Sequence, residues 1–259
     1  SGMDGPAHVA PARSEKVAFV TGGSKRIGAE ICHHLSASGF SIIVHTYRSI
    51  VECKDLVDKI NRSGGRAEMV IGDLCEAESR DAVISAVLGT EIYQVGGGLD
   101  LLVNSASLFT DSKSLDALQQ ATAREAMFAL HVDAPRHLGA AFRESLAARN
   151  GSIINIIDAL LERPGIGYAD YSASKRALAD LTIEQALESA PEIRVNGIGP
   201  GAILASRSER GLEYQIAELV PLQRWGEPAD LAATVVFLAE SNYITGQIIN
   251  VDGGLSLNR

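Results

Sequence analysis

The run Lys16 to Thr21 (KVAFVT) is almost wholly apolar, ends in a glycine turn and leads at once into a helical pattern. Such a run reads as a strand buried on both faces, and covering both faces restricts the fold more than any other feature of the chain. The pattern recurs along the sequence. Ser41 to His45, Ala67 to Ile71, Leu99 to Val103, Gly151 to Ile157, Ile193 to Ile198 and Gln247 to Val251 read as further strands. Ile27 to Ser38, Val51 to Arg62, Ala77 to Leu88, two patterns within Ser114 to Ala148, Tyr171 to Ser189 and Pro228 to Glu240 read as helices, with Gly39 and Gly64-Gly65 as stop signals. Alternation of this kind predicts an α/β fold with parallel strands and helices on both faces. No linker or internal repeat divides residues 16–259, so one domain is expected there, after a flexible Gly-, Ala- and Pro-rich tail over residues 1–15.

Composition excludes several function classes. A hydrophobic content of 46% supports a sizeable core, and the net charge of -9 argues against a nucleic-acid or polyanion binder while leaving room for a local basic pocket. Cys32, Cys53 and Cys75 stand far apart with no C-x-x-C, so neither a metal site nor a disulfide framework is expected, and a reducing cytoplasm fits best. No apolar run reaches the roughly 18 residues of a membrane span, and the N-terminus lacks the basic-then-apolar order of a signal peptide.

Thr21 to Gly28 reads TGGSKRIG between a strand and a helix. In that context backbone N–H groups and a helix N-terminus can hold a pyrophosphate; Gly22 allows the tight turn and Gly28 the close packing of helix on strand. After the second strand, His45-Thr46-Tyr47-Arg48-Ser49 carries no acid to take a ribose 2′-hydroxyl. Arg48 can pair with a 2′-phosphate, Ser49 can donate to it, and Lys25 adds charge nearby, which favours NADP(H) over NAD(H). Farther on, Tyr171 and Lys175 are one helical turn apart and can face one pocket as a proton-donating pair. Asp158 follows the apolar run Ile153-Ile154-Asn155-Ile156-Ile157, where many enzymes with this pair carry serine.

In order, TGGSKRIG, Asp73-Leu74, Asn104-Ser105-Ala106-Ser107, Tyr171 with Lys175, Arg194-Val195-Asn196, Pro200-Gly201, Ile244-Thr245-Gly246 and Val251-Asp252-Gly253-Gly254 resemble the short-chain dehydrogenase/reductase family from Lys16 to the C-terminus. The resemblance implies a Rossmann-type doubly wound seven-stranded parallel sheet, a nicotinamide cofactor and a homotetramer. It implies that Tyr171 donates a proton and that Lys175 binds the nicotinamide ribose and lowers the tyrosine pKa by its charge. Asp73 and Leu74 would border the adenine, and Asn104 and Ala106 would line the cofactor. It extends the cofactor contacts to Gly22, Arg26, Ile27, Tyr47, Ser107, Pro200 and Gly201.

Three positions depart from the common family pattern: Arg26 in place of a glycine, Asp158 in place of serine, and His131, in LHVDAP, in place of an asparagine. The first two are similar to the pteridine reductases, as are His45 to Ser49 and the Asn-x-Ala-Ser followed by an aromatic, Asn104 to Phe109. Asp158 to Lys175 and Leu204 to Leu219 resemble bacterial dihydromonapterin/dihydrofolate reductases most. That resemblance implies a small pterin or folate substrate in contact with Arg26, Ser107, Phe109, Asp158 and Tyr171. Arg26 would bridge a cofactor phosphate and the pterin, Phe109 would stack on the flat ring, and Asp158, Tyr171 and Lys175 would move the proton. A mobile lid is expected within Leu204 to Leu219, with Tyr214 and Trp225 as contacts to substrate or to a subunit interface. Two other readings stand beside this one: a carbonyl reductase of the 3-oxoacyl or sugar type, and a nucleotide-binding regulator without catalysis.

Overall fold

The computed structural model describes residues 15–110, 112–161, 168–203, 211 and 213–258. Seven parallel strands form one sheet: β1 (Lys16–Thr21), β2 (Phe40–Thr46), β3 (Ala67–Ile71), β4 (Leu101–Asn104), β5 (Ser152–Ile156), β6 (Arg194–Pro200) and β7 (Ile248–Val251), in the order β3-β2-β1-β4-β5-β6-β7. The described helices are α1 (Arg26–Ala37), α2 (Ile50–Arg62), α3 (Ala77–Leu88), α4 (Glu91–Gly96), α5 (Ala117–Phe128), α6 (Ala134–Ala141), α7 (Arg143–Ala148), α8 (Ala169–Ser189), α9 (Glu213–Leu219) and α10 (Pro228–Glu240).

The period of two along each strand divides the core between the two sheet faces. Ala18 and Val20 of β1, Leu101 and Val103 of β4, and Ile154 and Ile156 of β5 pack with Ile31 and Leu35 of α1, Leu56 of α2 and Leu231, Val235 and Leu238 of α10. Val17 and Phe19, Leu102 and Ile153 point the other way, onto Val83 and Val87 of α3, Ile92 of α4, Leu138 of α6 and Leu146 of α7. Ile31 and Leu35 are fully buried, and each such side chain contributes about 1.5–3 kcal/mol.

Strand order reverses between β1 and β4, and a crevice opens there at the C-terminal ends of the strands. Thr21, at the end of β1, accepts the backbone N–H groups of Ser105 and Ala106 on its hydroxyl, both at 3.1 Å. Gly22 follows with φ +59°, and a Cβ on it would lie 2.6 Å from the Ala106 Cα, so no other residue fits. At Gly28 a Cβ would stand 2.2 Å from the Gly22 carbonyl oxygen; its absence lets α1 start against the loop.

Most strands and helices match the expectation within two residues. Short α4 carries too little pattern to be read, and α9 falls in the stretch expected as a lid; residues 204–210 and 212, and the Tyr214 side chain, lie outside the described residues. The helical stretch after Ser114 is three helices, because residues 129–133 form a π-turn and α7 starts anew after Phe142. Glu15, assigned to the tail, is fastened to the domain: its carboxylate accepts from Ser41 and from Arg66 Nη1 (2.7 Å), and its carbonyl from Arg149 Nη2 (3.0 Å). The rest of the expected tail lies outside the described residues.

Candidate active site

The crevice has a cationic, donor-rich side. The N-terminus of α1 has no acidic residue in its first turn and no side-chain cap from Lys25, so its positive end is unmasked. Arg26 opens the helix with φ +51°, a left-handed conformation that costs a residue other than glycine roughly 1–2 kcal/mol. Its side chain is exposed and makes no hydrogen bond or ion pair with another described residue. The Ile27 side chain is partly buried against the core, which leaves its backbone to face a ligand. Lys25 corrects the charge reading: its ammonium pairs with Glu52 at 3.4 Å, so it adds little net positive charge.

At the end of β2, the Arg48 guanidinium lies over the Tyr47 ring, 4.9 Å from its centroid, and pairs with no acid among the described residues. Ser49 is the N-cap residue of α2, but its hydroxyl makes no capping bond. His45 is buried and spans the crevice wall: Nδ1 accepts the Gly22 N–H at 3.1 Å, and Nε2–H donates to the Gly72 carbonyl at 2.8 Å. Burial lowers its pKa, which suits the neutral ring that these bonds require. Asp73 turns the next loop by accepting the Cys75 N–H at 2.9 Å, whereas the Leu74 side chain is buried in the core, so only its backbone remains for a nucleotide. The Asn104 amide points into the sheet and donates to Asn155 at 2.8 Å. Pro200 and Gly201 close the far side, where a Cβ on Gly201 would meet that of Asp252 at 2.5 Å.

The other side carries the Tyr/Lys pair. Lys175 is 2% exposed, donates to the Ile156 carbonyl at 3.1 Å, and lies 5.8 Å from the Tyr171 ring centre. Burial pushes its pKa down to about 8, while the Asp158 charge acts in the opposite direction. Asp158 stands just past β5, where the chain still pairs with β6: Ile157 N–H bonds the Ile198 carbonyl at 2.7 Å and Ala159 N–H the Pro200 carbonyl at 3.0 Å. Its carboxylate divides its work. Oδ1 accepts the Leu160 N–H at 2.8 Å, a local turn bond, and Oδ2 accepts the Tyr171 hydroxyl at 3.3 Å. The carboxylate is therefore held rigidly beside the hydroxyl, 7% exposed.

Opposite them, Phe109 stacks on Tyr168, with ring centres 5.1 Å apart, and meets Tyr171 edge-on at 5.4 Å. His131 touches Tyr171 edge-on from behind, at 5.7 Å. Tyr168 is a site residue that the sequence reading missed. It is the N-cap residue of α8, ahead of the stretch expected to be helical from Tyr171 on, so helix spacing did not mark it.

The family model described as Enoyl-(Acyl carrier protein) reductase matches residues 22–256. The chain belongs to the short-chain dehydrogenase/reductase family. Within it the chain falls in the pteridine reductase-like branch, as an oxidoreductase. Pteridine reductase 1 of Leishmania tarentolae is 32% identical, with 94% of this chain and 97% of that protein aligned. The 3-oxoacyl-[acyl-carrier-protein] reductase FabG of Staphylococcus aureus is 30% identical over 93% of this chain and 98% of its own. Among solved structures, FolM Alternative dihydrofolate reductase 1 from Brucella suis, in complex with NADP, superposes with a TM-score of 0.83 and 34% identity, covering 95% of this chain and 97% of that one.

For a short-chain dehydrogenase/reductase, the placement of Asp158, Tyr171 and Lys175 brings together all three residues expected to handle protons. Ser107 and Phe109 join them from the loop after β4. The Trp225 carbonyl accepts a hydrogen bond from Arg224 Nη1 at 3.0 Å. No helix of the described residues is long and apolar enough to cross a membrane.

Proposed function

We propose that this chain reduces a pterin, converting a dihydropterin or dihydrofolate to its tetrahydro form with NADPH as reductant. Asp158 carries the reading. A ketone accepting hydride develops an oxyanion, which hydroxyl donors stabilise and a carboxylate repels. A C=N bond leaves its charge on a ring nitrogen, and a carboxylate bonded to the tyrosine hydroxyl can order that hydroxyl and relay a proton from water.

The donor set on the cationic side fits NADPH. The uncapped α1 N-terminus suits a pyrophosphate, and Arg48 with the Ser49 hydroxyl suits a 2′-phosphate. When bound, NADPH supplies a hydride to the electron-poor carbon of the C=N bond. Tyr171 then gives its proton to the adjacent ring nitrogen, Lys175 steadies the phenolate by its charge, and Asp158 relays a proton from water to the phenolate oxygen. Phe109 and Tyr168 form the wall of a slot for a flat ring, and Arg26, exposed at the start of α1, would reach from the phosphate loop toward the bound pterin. Because Tyr168 covers one face of Phe109, a pterin stacking on Phe109 would use its other face.

The similarity to the Brucella suis alternative dihydrofolate reductase and the Leishmania tarentolae pteridine reductase supports the reading. The FabG relative favours the alternative, reduction of a 3-oxoacyl or sugar carbonyl, and Asp158 opposes it. The buried lysine beside the tyrosine opposes a role as an inactive nucleotide-binding regulator. The test is a panel assay following NADPH absorbance with dihydrobiopterin, dihydromonapterin, dihydrofolate and an acetoacetyl thioester. Turnover of one or more pterins and none of the thioester is expected; the reverse pattern overturns the proposal. Exposed Phe237, Tyr243 and Leu257 further support assembly as a homotetramer.

A further inference from the structure

We propose that His131 is a positioning residue of the substrate slot: delivered by a π-turn, it ties the wall formed by residues 105–110 to α8 and so sets the spacing between Phe109 and Tyr171. The first support is the backbone. α5 ends at Phe128, and residues 129–133 form the π-turn before α6 begins at Ala134. Such turns shift the phase of every side chain after them, and they are frequent at functional sites. Here the shift turns His131 inward, 1% exposed.

The second support is the hydrogen-bond network. Ser174 Oγ donates to the Tyr171 carbonyl at 2.7 Å, which uses its only proton. The contact of 2.8 Å between Ser174 Oγ and His131 Nδ1 therefore has the ring N–H as donor. Nε2 is left as an acceptor; it takes the Leu108 N–H at 3.1 Å and lies 3.0 Å from the Ser107 hydroxyl, which donates to it. The network thus assigns the neutral tautomer with the proton on Nδ1. Burial, with the Lys175 charge acting in the same direction, lowers the ring's pKa to about 2, so this state persists at neutral pH. Because the network occupies both nitrogens, His131 hands no proton to a substrate. It acts through the wall: Leu108 is held by its backbone, Phe109 follows, and Phe109 and His131 both meet the Tyr171 ring edge-on.

Two isosteric substitutions separate the two bonds. An asparagine amide reaches the place of Nδ1 and can keep the bond to Ser174; a glutamine carbonyl reaches the place of Nε2 and can keep the wall. His131→Asn is expected to raise the KM of the reduced substrate roughly tenfold, with kcat and the NADPH Kd within about threefold of wild type, while His131→Gln stays near wild type in all three. Hydrogen exchange at the Leu108 amide should be roughly tenfold faster in His131→Asn and protected in His131→Gln. The kinetic arm rests on the pterin reading; the exchange arm uses protein with NADPH and no substrate. If no pterin is reduced by wild type, the functional reading fails, and the exchange result alone decides the role of His131. Melting temperatures of both variants check that each is folded. Equal Leu108 exchange in the two variants, or equal KM values with equally lowered melting temperatures, would show a purely structural histidine and overturn the proposal.

Discussion

Replacing Asp158 with asparagine separates the two roles of its carboxylate. The asparagine carbonyl can still accept the Leu160 N–H, so the turn bond at 2.8 Å survives. What goes is the negative charge facing the Tyr171 hydroxyl at 3.3 Å. If that charge orders and recharges the proton donor, kcat with dihydrobiopterin should fall about 10²–10⁴-fold, or roughly 2.7–5.4 kcal/mol of barrier. The NADPH Kd should change little, because the α1 N-terminus and Arg48 are untouched. Asp158→Ser should show the same kcat loss, since it recreates the usual ketone-reducing hydroxyl pair without a proton acceptor. A serine also makes a serviceable turn residue, so a merely local role for Asp158 predicts an almost silent change. Steady-state kinetics beside Tyr171→Phe, with cofactor binding followed by fluorescence, distinguishes the two outcomes. If either variant keeps kcat within about twofold of wild type, far inside the range of an acid–base group, the proton-relay reasoning is refuted.

Three further outcomes follow from the same geometry. Arg48→Ala should weaken NADPH binding by about 1.5–3 kcal/mol and leave NADH binding nearly unchanged; equal losses for both cofactors in a titration would show that Arg48 does not read the 2′-phosphate. Lys175 is charged below about pH 8 and loses its proton above it, so kcat/KM should decline as pH rises through about 8. In Lys175→Arg, which stays charged, that limb should vanish even though the overall rate drops; a persisting limb assigns the titration to another group. Light scattering at micromolar concentration should give a tetramer mass, and a monomer mass would rule the assembly out.

The strand–helix alternation made the fold legible because each parallel strand, apolar on both faces, announces itself as a run such as Lys16–Thr21. What could not be read was a change of phase or of direction. The π-turn at 129–133 has no local composition that marks it, so the inward turn of His131 could not be read. Leu74 looked like a nucleotide contact from its place in a motif, yet its side chain serves the core. Lys25 looked like free charge because Glu52, its partner, lies beyond the whole of α1 and β2 in sequence. Asp158, Tyr171 and Lys175 were legible because two of them share a helix face and the third ends a strand. Tyr168 was passed over because it caps α8 ahead of the stretch read as helical, and no motif drew attention to it.

Arg26 shows most directly that the loop is shaped for more than holding a phosphate. A glycine at φ +51° would avoid a cost of roughly 1–2 kcal/mol, and a loop that only wrapped a pyrophosphate would gain by having one. Strain of this kind persists where the side chain supplies something glycine lacks. Here that is a guanidinium fork at the mouth of the crevice, in a chain whose net charge is -9 and whose neighbouring Lys25 is already paired with Glu52. On the proposed reading Arg26 serves the substrate and Arg48 the 2′-phosphate, beside the buried Lys175 cation. On this division Arg26→Gly should relieve backbone strain and raise thermal stability while raising the KM for the pterin. A variant both less stable and kinetically unchanged would show that the arginine serves the fold alone.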